Sequence, residues 1–320
     1  MTDVGGARVL VTGACGFIGR AVVRELAAAG ARVVAAYRRD TPTPFLPRDS
    51  VALDLLDHGA LVRSLDGVDL VVHLAARSGG IEFQEARHVD IFAENHALTK
   101  SVLAAATQAG VTRVFLASSA VVYRDGAGGQ LLDERAAVVA PGIQPVSGYA
   151  WSKLTDEALG GWYGLEGGLE VVTGRFGNVY GPGGSPSTVV HALVRRALAA
   201  PTGGRFVVWG DGTAVRSFLY LSDAARAAAT VLERGVSGQV YNLDSSIPTT
   251  IHELARTVRD AVASFRGERL AMEFDRSKPT GPARRVPDST KLAALGFAPR
   301  VSLGEGVHAT VIEARRHAPV

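Results

Sequence analysis

The sequence predicts an α/β protein built on a doubly wound parallel sheet, with a smaller, discontinuous C-terminal unit. Three observations carry this. Short β-branched runs alternate with longer helical patterns through about the first 175 residues. A glycine-rich loop stands directly between the first strand and the first helix. After residue 175 the alternation breaks into short, irregular runs.

The first element is RVLVT at 8–12, apolar and β-branched. It runs into Gly13-Ala14-Cys15-Gly16-Phe17-Ile18-Gly19, and helical spacing follows over 17–29. In a strand, glycine loop and helix of this order, Gly13 permits the tight turn and Gly16 lets backbone approach a pyrophosphate. Gly19 lets the helix pack on the strand, and the first N–H groups of the helix, around Phe17 and Ile18, face the phosphate. With 37 glycines in the chain a triplet alone can arise by chance; its place after an N-terminal strand gives it weight. This is the Rossmann arrangement.

The second strand, at 32–37, ends at Tyr37. About 20 residues beyond the glycines such folds carry an acid for the ribose 2′-hydroxyl of NAD. Arg38 and Arg39 stand there instead, and guanidinium groups suit a 2′-phosphate. Both could also be ordinary solvated charges, and Asp40 could rotate in. The expected cofactor is therefore NADP (as NADPH) ahead of NAD, and no metal is expected.

Further strands are expected at 68–74, 113–118 and 169–174, and helices at 57–65, 91–109 and 148–163. Ligands of doubly wound sheets sit beyond the carboxyl ends of the strands. Gly13, Asp54 (followed by Leu55), Ala75, Ser119 and Arg175 all fall just past such ends. Beyond 175, short strands at 205–209 and 215–220, helices at 222–234 and 250–264, and a Pro- and Arg-rich tail suggest a substrate lid. The expected division is a dinucleotide-binding domain over 1–174, with a returning segment near 215–246, and a mainly substrate-binding domain over 175–320.

Composition narrows the setting. A chain of 320 residues with 47% hydrophobic content can bury a large core. No apolar stretch approaches the ~18 residues of a membrane span, and the first strand begins too near Met1 to leave room for a signal peptide. A single cysteine excludes an intramolecular disulfide, and cytoplasm is the expected compartment. Cys15 reads as packing within the glycine loop. A net charge of +3, without a lysine block or basic–aromatic alternation, points away from nucleic acid and is compatible with a small anionic substrate. TPTPFLP at 41–47 and RDGAGGQ at 124–130 read as surface loops.

The chemistry lies in YAWSK. Tyr149 and Lys153 share one face of a helix, and Ser119 ends an apolar run thirty residues earlier. A phenol is a poor acid at neutral pH; an ammonium one turn away favours the phenolate and brings proton transfer within reach. Ser119 would hydrogen-bond the reacting oxygen, giving a site for carbonyl–carbinol redox. Tyrosine and lysine one turn apart are common on solvated helix faces. Lysine is scarce here, however, with only four among 34 basic residues, and a chance pairing is correspondingly rare.

GACGFIG, VHLAA, SSAVVY, YAWSK and RFGNVYGPGG follow in the order of the extended short-chain dehydrogenase/reductases that act on nucleotide sugars, and the resemblance covers nearly the whole chain. It implies an enzyme, a nucleotide-diphosphate sugar substrate and a homodimer. Asn95 resembles the family's structural asparagine, Asp54 its adenine contact, Asn178 a sugar-nucleotide contact, and Arg216 the arginine that clamps the diphosphate. Arg284 or Arg285, followed by Asp288, resembles a second basic contact. Gly79-Gly80-Ile81 and Asp275-Arg276-Ser277-Lys278-Pro279-Thr280-Gly281 are similar to the GDP-fucose synthases, which epimerise a 4-keto-6-deoxy sugar at carbons 3 and 5 and then reduce carbon 4. The second of these segments favours GDP as the nucleotide.

The chain departs from that pattern where epimerisation needs a cysteine and a histidine. Val121 and Thr188 stand there, and His191 one turn on reads better as a surface or packing histidine. Ala120 and Val121 also replace the acidic pair of dehydratases. The expected function is thus an NADPH-dependent 4-ketoreductase of a nucleotide-linked keto-deoxysugar. The alternatives are a nucleotide-sugar 4-epimerase, which uses the same residues with a retained cofactor, and a non-catalytic NADP-binding protein, whose mark would be a broken Ser-Tyr-Lys set. A reductase of uncharged carbonyls would leave Asn178, Arg216 and Arg284 without a diphosphate to hold.

Overall fold

Six strands come from the first 176 residues: β1 (Arg8–Thr12), β2 (Arg32–Tyr37), β3 (Val51–Ala52), β4 (Leu70–His73), β5 (Arg113–Ser119) and β6 (Glu170–Phe176). The helices between them are α1 (Phe17–Ala28), α2 (His58–Ser64), α3 (His88–Gln108) and α4 (Gly148–Gly167). The second half adds β7 (Asn178–Tyr180), α5 (Val189–Ala199), β8 (Arg205–Trp209), β9 (Val215–Arg216), β10 (Phe218–Tyr220), α6 (Leu221–Arg234) and β11 (Val240–Leu243). It continues with β12 (Thr249–Thr250), α7 (Ile251–Arg266), β13 (Ala271–Asp275), β14 (Arg284–Arg285), α8 (Thr290–Ala293) and α9 (Leu303–Arg316). The structure, a computed structural model, describes residues 2–38, 47, 49–79, 83–84, 86–124, 130–136, 138, 147–278 and 281–316. Arg39, Asp40, Gly80, Ile81, Pro279, Thr280 and most of the loops expected at 41–47 and 124–130 lie outside the described residues.

The main sheet has seven parallel strands in the order β11-β6-β5-β4-β1-β2-β3. The chain moves outward from β1 to β3, then crosses back to lay β4 on the other side of β1. The order therefore reverses between β1 and β4, and at such a switch point a crevice opens at the carboxyl ends. Strands buried on both faces read as continuous apolar runs, and Val9, Leu10 and Val11 of β1 are fully buried. One face packs α1 and α6 through Val22, Leu26, Ala224, Ala228 and Val231; the other packs α2 and α3 through Leu61, Val102 and Leu103. Each fully buried valine or leucine contributes about 1.5–3 kcal/mol. The alanine face of α6 brings that helix close to α1.

A third core gathers α5, α7, α9 and β8 around Leu193, Phe206, Leu254, Val258, Val307 and Val311. α9 falls in the tail that sequence reading left without structure. The strand expected at 215–220 divides at Ser217: β9 joins β12 and β14, whereas β10 pairs with β7. The cause is local. Ser217 is fully buried, and its carbonyl is taken by the side chain of Asn178 at 2.9 Å, so it is lost to a continuous ladder. β11 returns to the main sheet beside β6.

Candidate functional site

The glycine cradle sits at the switch point. Gly13 has φ +66°, and a Cβ there would lie 2.8 Å from the amide nitrogen of Ala75. A side chain on Gly19 would run into the carbonyl oxygen of Gly13. The turn thus needs glycine for its backbone angle at one position and for close approach at the other. Among the described residues no side chain caps α1, and its first turn holds no acid, so its first N–H groups suit an anion, as a pyrophosphate requires. Phe17 and Ile18 are half-buried beside it. Asp54 is exposed, its carboxylate accepting the N–H of Leu56 at 2.9 Å. Leu55 turns its side chain into the core, so only its backbone is available to a ligand. Arg38 is exposed at the end of β2.

A buried polar line starts at the same crevice. Thr12 Oγ1 accepts the N–H groups of Leu74 and Ala75, both at 3.2 Å. Its own proton is left for His73 Nδ1 at 2.8 Å, which directs the His73 Nε2 proton toward Thr99 Oγ1 at 3.3 Å. Burial, with Lys153 adding, pushes His73 down to about 3 and keeps it neutral.

α4 runs back along β5. Ser118 hydrogen-bonds Glu157, and Gly160 lies against Leu116 and Val171. Residues earlier in the helix therefore project past the strand ends, and Tyr149, eight residues before Glu157, lies about 12 Å further along the axis. Ser147 caps this helix, accepting the N–H of Ala150 at 3.3 Å. Asn95 clamps α3 to it: the amide donates to Ser152 at 3.2 Å and to the Arg77 carbonyl at 3.1 Å, while its oxygen accepts the Arg77 N–H at 2.6 Å.

Ser119 ends β5, with Oγ accepting the N–H of Val121 at 3.3 Å in a short 3-10 turn over Ala120–Val122. Tyr149 is half-buried. Lys153 is 3% exposed, with Nζ 5.9 Å from the Tyr149 ring centroid. The sequence reading expected the ammonium to favour the phenolate. In the protein alone burial outweighs it: burial, reinforced by Asp156, pushes the Tyr149 phenol up to about 12. Burial also pushes Lys153 down, against Asp156 and Glu157. A protonated phenol is the form that donates to a carbonyl oxygen.

Asp156 is a residue the sequence reading missed. It lies 3.9 Å from Lys153 Nζ and 3.8 Å from His96 Nδ1, and burial pushes it up to about 6. The signal was present: positions 149, 153 and 156 share one helical face.

Arg175 corrects another expectation. It belongs to β6 itself, 4% exposed, and is bound by Glu157 through two hydrogen bonds at 2.7 and 2.8 Å. It stacks over Tyr123 at 4.8 Å, whose hydroxyl donates to Asn242 at 2.7 Å. This network fastens α4 and β11 to the sheet and presents no free cation to the crevice.

The arm beyond the crevice is a small sheet, β12-β9-β14. Arg285 pairs in register with Arg216, and Arg284 with Val215. Because strand neighbours point to opposite faces, Arg216 and Arg285 share one face and Arg284 takes the other. Arg216 donates to the carbonyls of Val215 at 2.8 Å and Pro282. Arg285 donates to the Tyr123 carbonyl at 3.2 Å, which ties the arm to the end of β5. Arg284 Nε is buried without a hydrogen-bond partner among the described residues. Asn178 starts β7, two residues past Phe176, the register partner of Ser119.

His191 sits against Phe17 with ring centroids 6.1 Å apart. Nε2 meets the Gly181 carbonyl and Nδ1 meets Thr188 Oγ1, each at 2.7 Å. With Nε2 donating, Nδ1 accepts, and burial lowers the pKa of this neutral ring.

Comparison with known proteins agrees with this geometry. A family model described as the NAD dependent epimerase/dehydratase family matches residues 9–244. GDP-L-fucose synthase 1 of Arabidopsis thaliana is 31% identical, covering 95% of this chain and 92% of that protein. A protein of Streptomyces bikiniensis named dTDP-4-dehydro-6-deoxy-D-allose reductase is 32% identical over 98% of this chain and 97% of its own. Among solved structures, the UDP-glucose 4-epimerase of Thermus thermophilus, in complex with NAD, superposes with a TM-score of 0.81 at 29% identity, covering 96% of this chain and 99% of that one. A seven-stranded parallel sheet with a glycine cradle at its switch point, matched by that model over more than two thirds of its length, makes this chain an enzyme of the NAD-dependent epimerase/dehydratase family.

Proposed function

We propose that the protein is an NADPH-dependent 4-ketoreductase of a nucleotide-linked 4-keto-6-deoxysugar. The observation that carries this reading is the contrast around Ser119. Ser119, Tyr149 and Lys153 stand at the carboxyl edge of the sheet, yet the residues following Ser119 are Ala120 and Val121, neither able to move a proton. The histidine nearest the epimerase position, His191, has both ring nitrogens engaged. Redox chemistry is supported and epimerisation at carbons 3 and 5 is not.

The cradle fits a dinucleotide, with the pyrophosphate at the start of α1 and the nicotinamide ribose at Lys153. A reduced nicotinamide would supply the hydride for carbon 4. Tyr149 gives its proton to the oxygen, Ser119 hydrogen-bonds that oxygen, and Lys153 holds the cofactor ribose near Tyr149. Asn178, Arg216 and Arg284 or Arg285 would take the nucleotide diphosphate. The Streptomyces relative, named as a reductase of a 4-dehydro-6-deoxy sugar, supports the same substrate class. A homodimer belongs to this reading, and exposed Val89, Trp162 and Leu165 on α3 and α4 are consistent with it.

The test is isotopic. With reduced cofactor deuterated at the transferring position and a 4-keto-6-deoxy nucleotide sugar, the label should appear at carbon 4. Run in deuterated water, the product should carry no enzyme-dependent deuterium at carbon 3 or 5. Solvent deuterium at those carbons would overturn the assignment. The likeness to a UDP-glucose 4-epimerase favours a second reading, 4-epimerisation with retained cofactor; it would show as interconversion of two 4-hydroxy sugars without consumption of NADPH.

A further inference from the structure

Behind Tyr149 and Lys153 lies a line of buried polar groups that the reduction as described does not use. Asp156 is 4% exposed and stands one turn beyond Lys153 on α4. Its Oδ2 is 3.9 Å from Lys153 Nζ, and its Oδ1 is 3.8 Å from His96 Nδ1. Neither carboxylate oxygen nor His96 Nδ1 has a hydrogen-bond partner among the described residues. Buried polar atoms are nearly always paired. Three such atoms in a row, separated by gaps that a small side-chain movement closes, suit groups that exchange partners during turnover.

The two ends of the line differ. On the inner side stand Lys153 and Tyr149 of α4. On the outer side His96 of α3, one third exposed in its side chain, stacks on Phe92 with centroids 6.0 Å apart. The remaining neighbour from α3 is Thr99, and behind it lies His73 of β4, kept neutral by burial. Among the described residues facing Asp156, the titratable groups within reach are therefore Lys153 and His96.

We propose that Asp156, with His96 on its outer side, returns a solvent proton to the Tyr149–Lys153 pair after each reduction. This inference rests on the reduction proposed above. In each turnover the carbonyl π bond breaks, a hydride from the reduced nicotinamide forms the new C–H bond, and the Tyr149 proton forms the new O–H bond. Tyr149 is left as phenolate. It regains a proton from Lys153, the resulting amine takes one from the Asp156 carboxyl, and the carboxylate is recharged through His96 from water. One hydride and one solvent proton are consumed for each carbonyl reduced, and the side chains end as they began. Burial holds Asp156 near 6 and lowers Lys153, so both exchange protons more readily near neutrality than their free side chains would. Asp156 acts through Lys153 and is a positioning residue, not a catalytic one.

Asp156→Asn keeps the shape and removes the exchangeable proton. Because Tyr149 begins protonated and Lys153 can recharge it once, its first turnover should run near the wild-type rate and those after the second should slow. Stopped-flow mixing should show a burst of up to two NADPH oxidised per active site, one for each proton stored on Tyr149 and Lys153, followed by a kcat about 10- to 100-fold below wild type. The solvent deuterium isotope effect on kcat should rise, that from deuterated NADPH should fall toward one, and KM for the sugar should stay within about twofold. His96→Ala should lose less, and added imidazole should restore it. A first turnover slowed as much as later ones would make Asp156 merely structural and overturn the inference. An unchanged kcat in Asp156→Asn, or a His96→Ala loss that imidazole leaves untouched, would overturn it equally. A wild-type enzyme that oxidises NADPH with no nucleotide sugar would instead sink the proposed function, an outcome distinct from an active wild type whose variant shows no burst.

Discussion

The chemical end of the crevice and the arm that faces it are built in opposite ways. Tyr149, Lys153 and Asp156 ride on a 20-residue helix clamped by a 21-residue one, and the hydrogen bonds of Asn95 fix the two together. Arg216, Arg284 and Arg285 ride on strands of two residues each, held by backbone carbonyls and by one contact to Tyr123. Long elements hold reacting atoms to a fraction of an ångström, whereas two-residue strands can adjust to the ligand they grip. Loss of a group from the rigid end should therefore reduce the rate, and loss from the arm should reduce affinity.

The sharpest test of that division is Tyr149→Phe. It removes the proposed proton donor and almost no volume, so kcat should fall roughly 10²- to 10⁴-fold while cofactor affinity, measured by NADPH fluorescence, stays near wild type. Retention of most activity would place the chemistry elsewhere.

On the arm, Arg216→Ala should leave kcat within a few-fold and raise KM for the nucleotide sugar. A lost hydrogen bond to a charged group is worth about 1.5–3 kcal/mol, or roughly 10- to 150-fold. Arg284 and Arg285 take opposite faces of the arm, so their alanine variants should part. Arg285 shares the face of Arg216, so Arg285→Ala should lower affinity as Arg216→Ala does and, by freeing the Tyr123 carbonyl, also lower the melting temperature, whereas Arg284→Ala should leave affinity near wild type. Equal effects of both on affinity would mean that the arm turns over when it binds.

Between the two regions lies Asp244, 1% exposed beside Ser217, where the arm leaves the main sheet. Burial pushes it from 3.8 up to about 6. A carboxyl raised in the folded state stabilises the fold while it is protonated: the contribution is fully present below pH 3.8 and is lost as pH rises through about 6. The rise corresponds to on the order of 3 kcal/mol. Asp244→Asn should therefore raise the melting temperature at pH 8 and change it little at pH 4. Asp156, which titrates in the same range, leaves part of the wild-type slope in place. A variant less stable at pH 8 would show that the carboxylate is held by partners in solution and is not a strained charge.

The same division decides what could be read from the sequence. β1, β2 and the cradle follow from local rules, an apolar run and a glycine spacing that few structures accommodate, and they lie at 8–12, 32–37 and 13–19 as expected. That Tyr149 and Lys153 lie side by side was legible because a helix repeats every turn. Asp156 shares that repeat, but its approach to His96 crosses 60 residues of sequence, and periodicity within one element cannot supply a pairing between two. The arm was legible only by resemblance, since a two-residue strand has no period. Arg175 misled because a charge near a strand end looks open to the crevice until Glu157, from α4, is packed against it.

The smallest expected effect belongs to Arg38, and it tests whether the cofactor end behaves like the helices or like the arm. Arg38 is exposed just past β2, so an interaction with a 2′-phosphate would be made largely in water, where ion pairs are weak. Arg38→Ala should weaken NADPH relative to NADH by roughly 2- to 5-fold, and the difference should shrink further as salt is raised. Titration of both cofactors at two ionic strengths measures it. Equal weakening of NADPH and NADH would make Arg38 an ordinary solvated charge. A discrimination lost by a hundredfold or more would mean that the pair is desolvated when the cofactor binds, because a contact made in water cannot supply so large a difference.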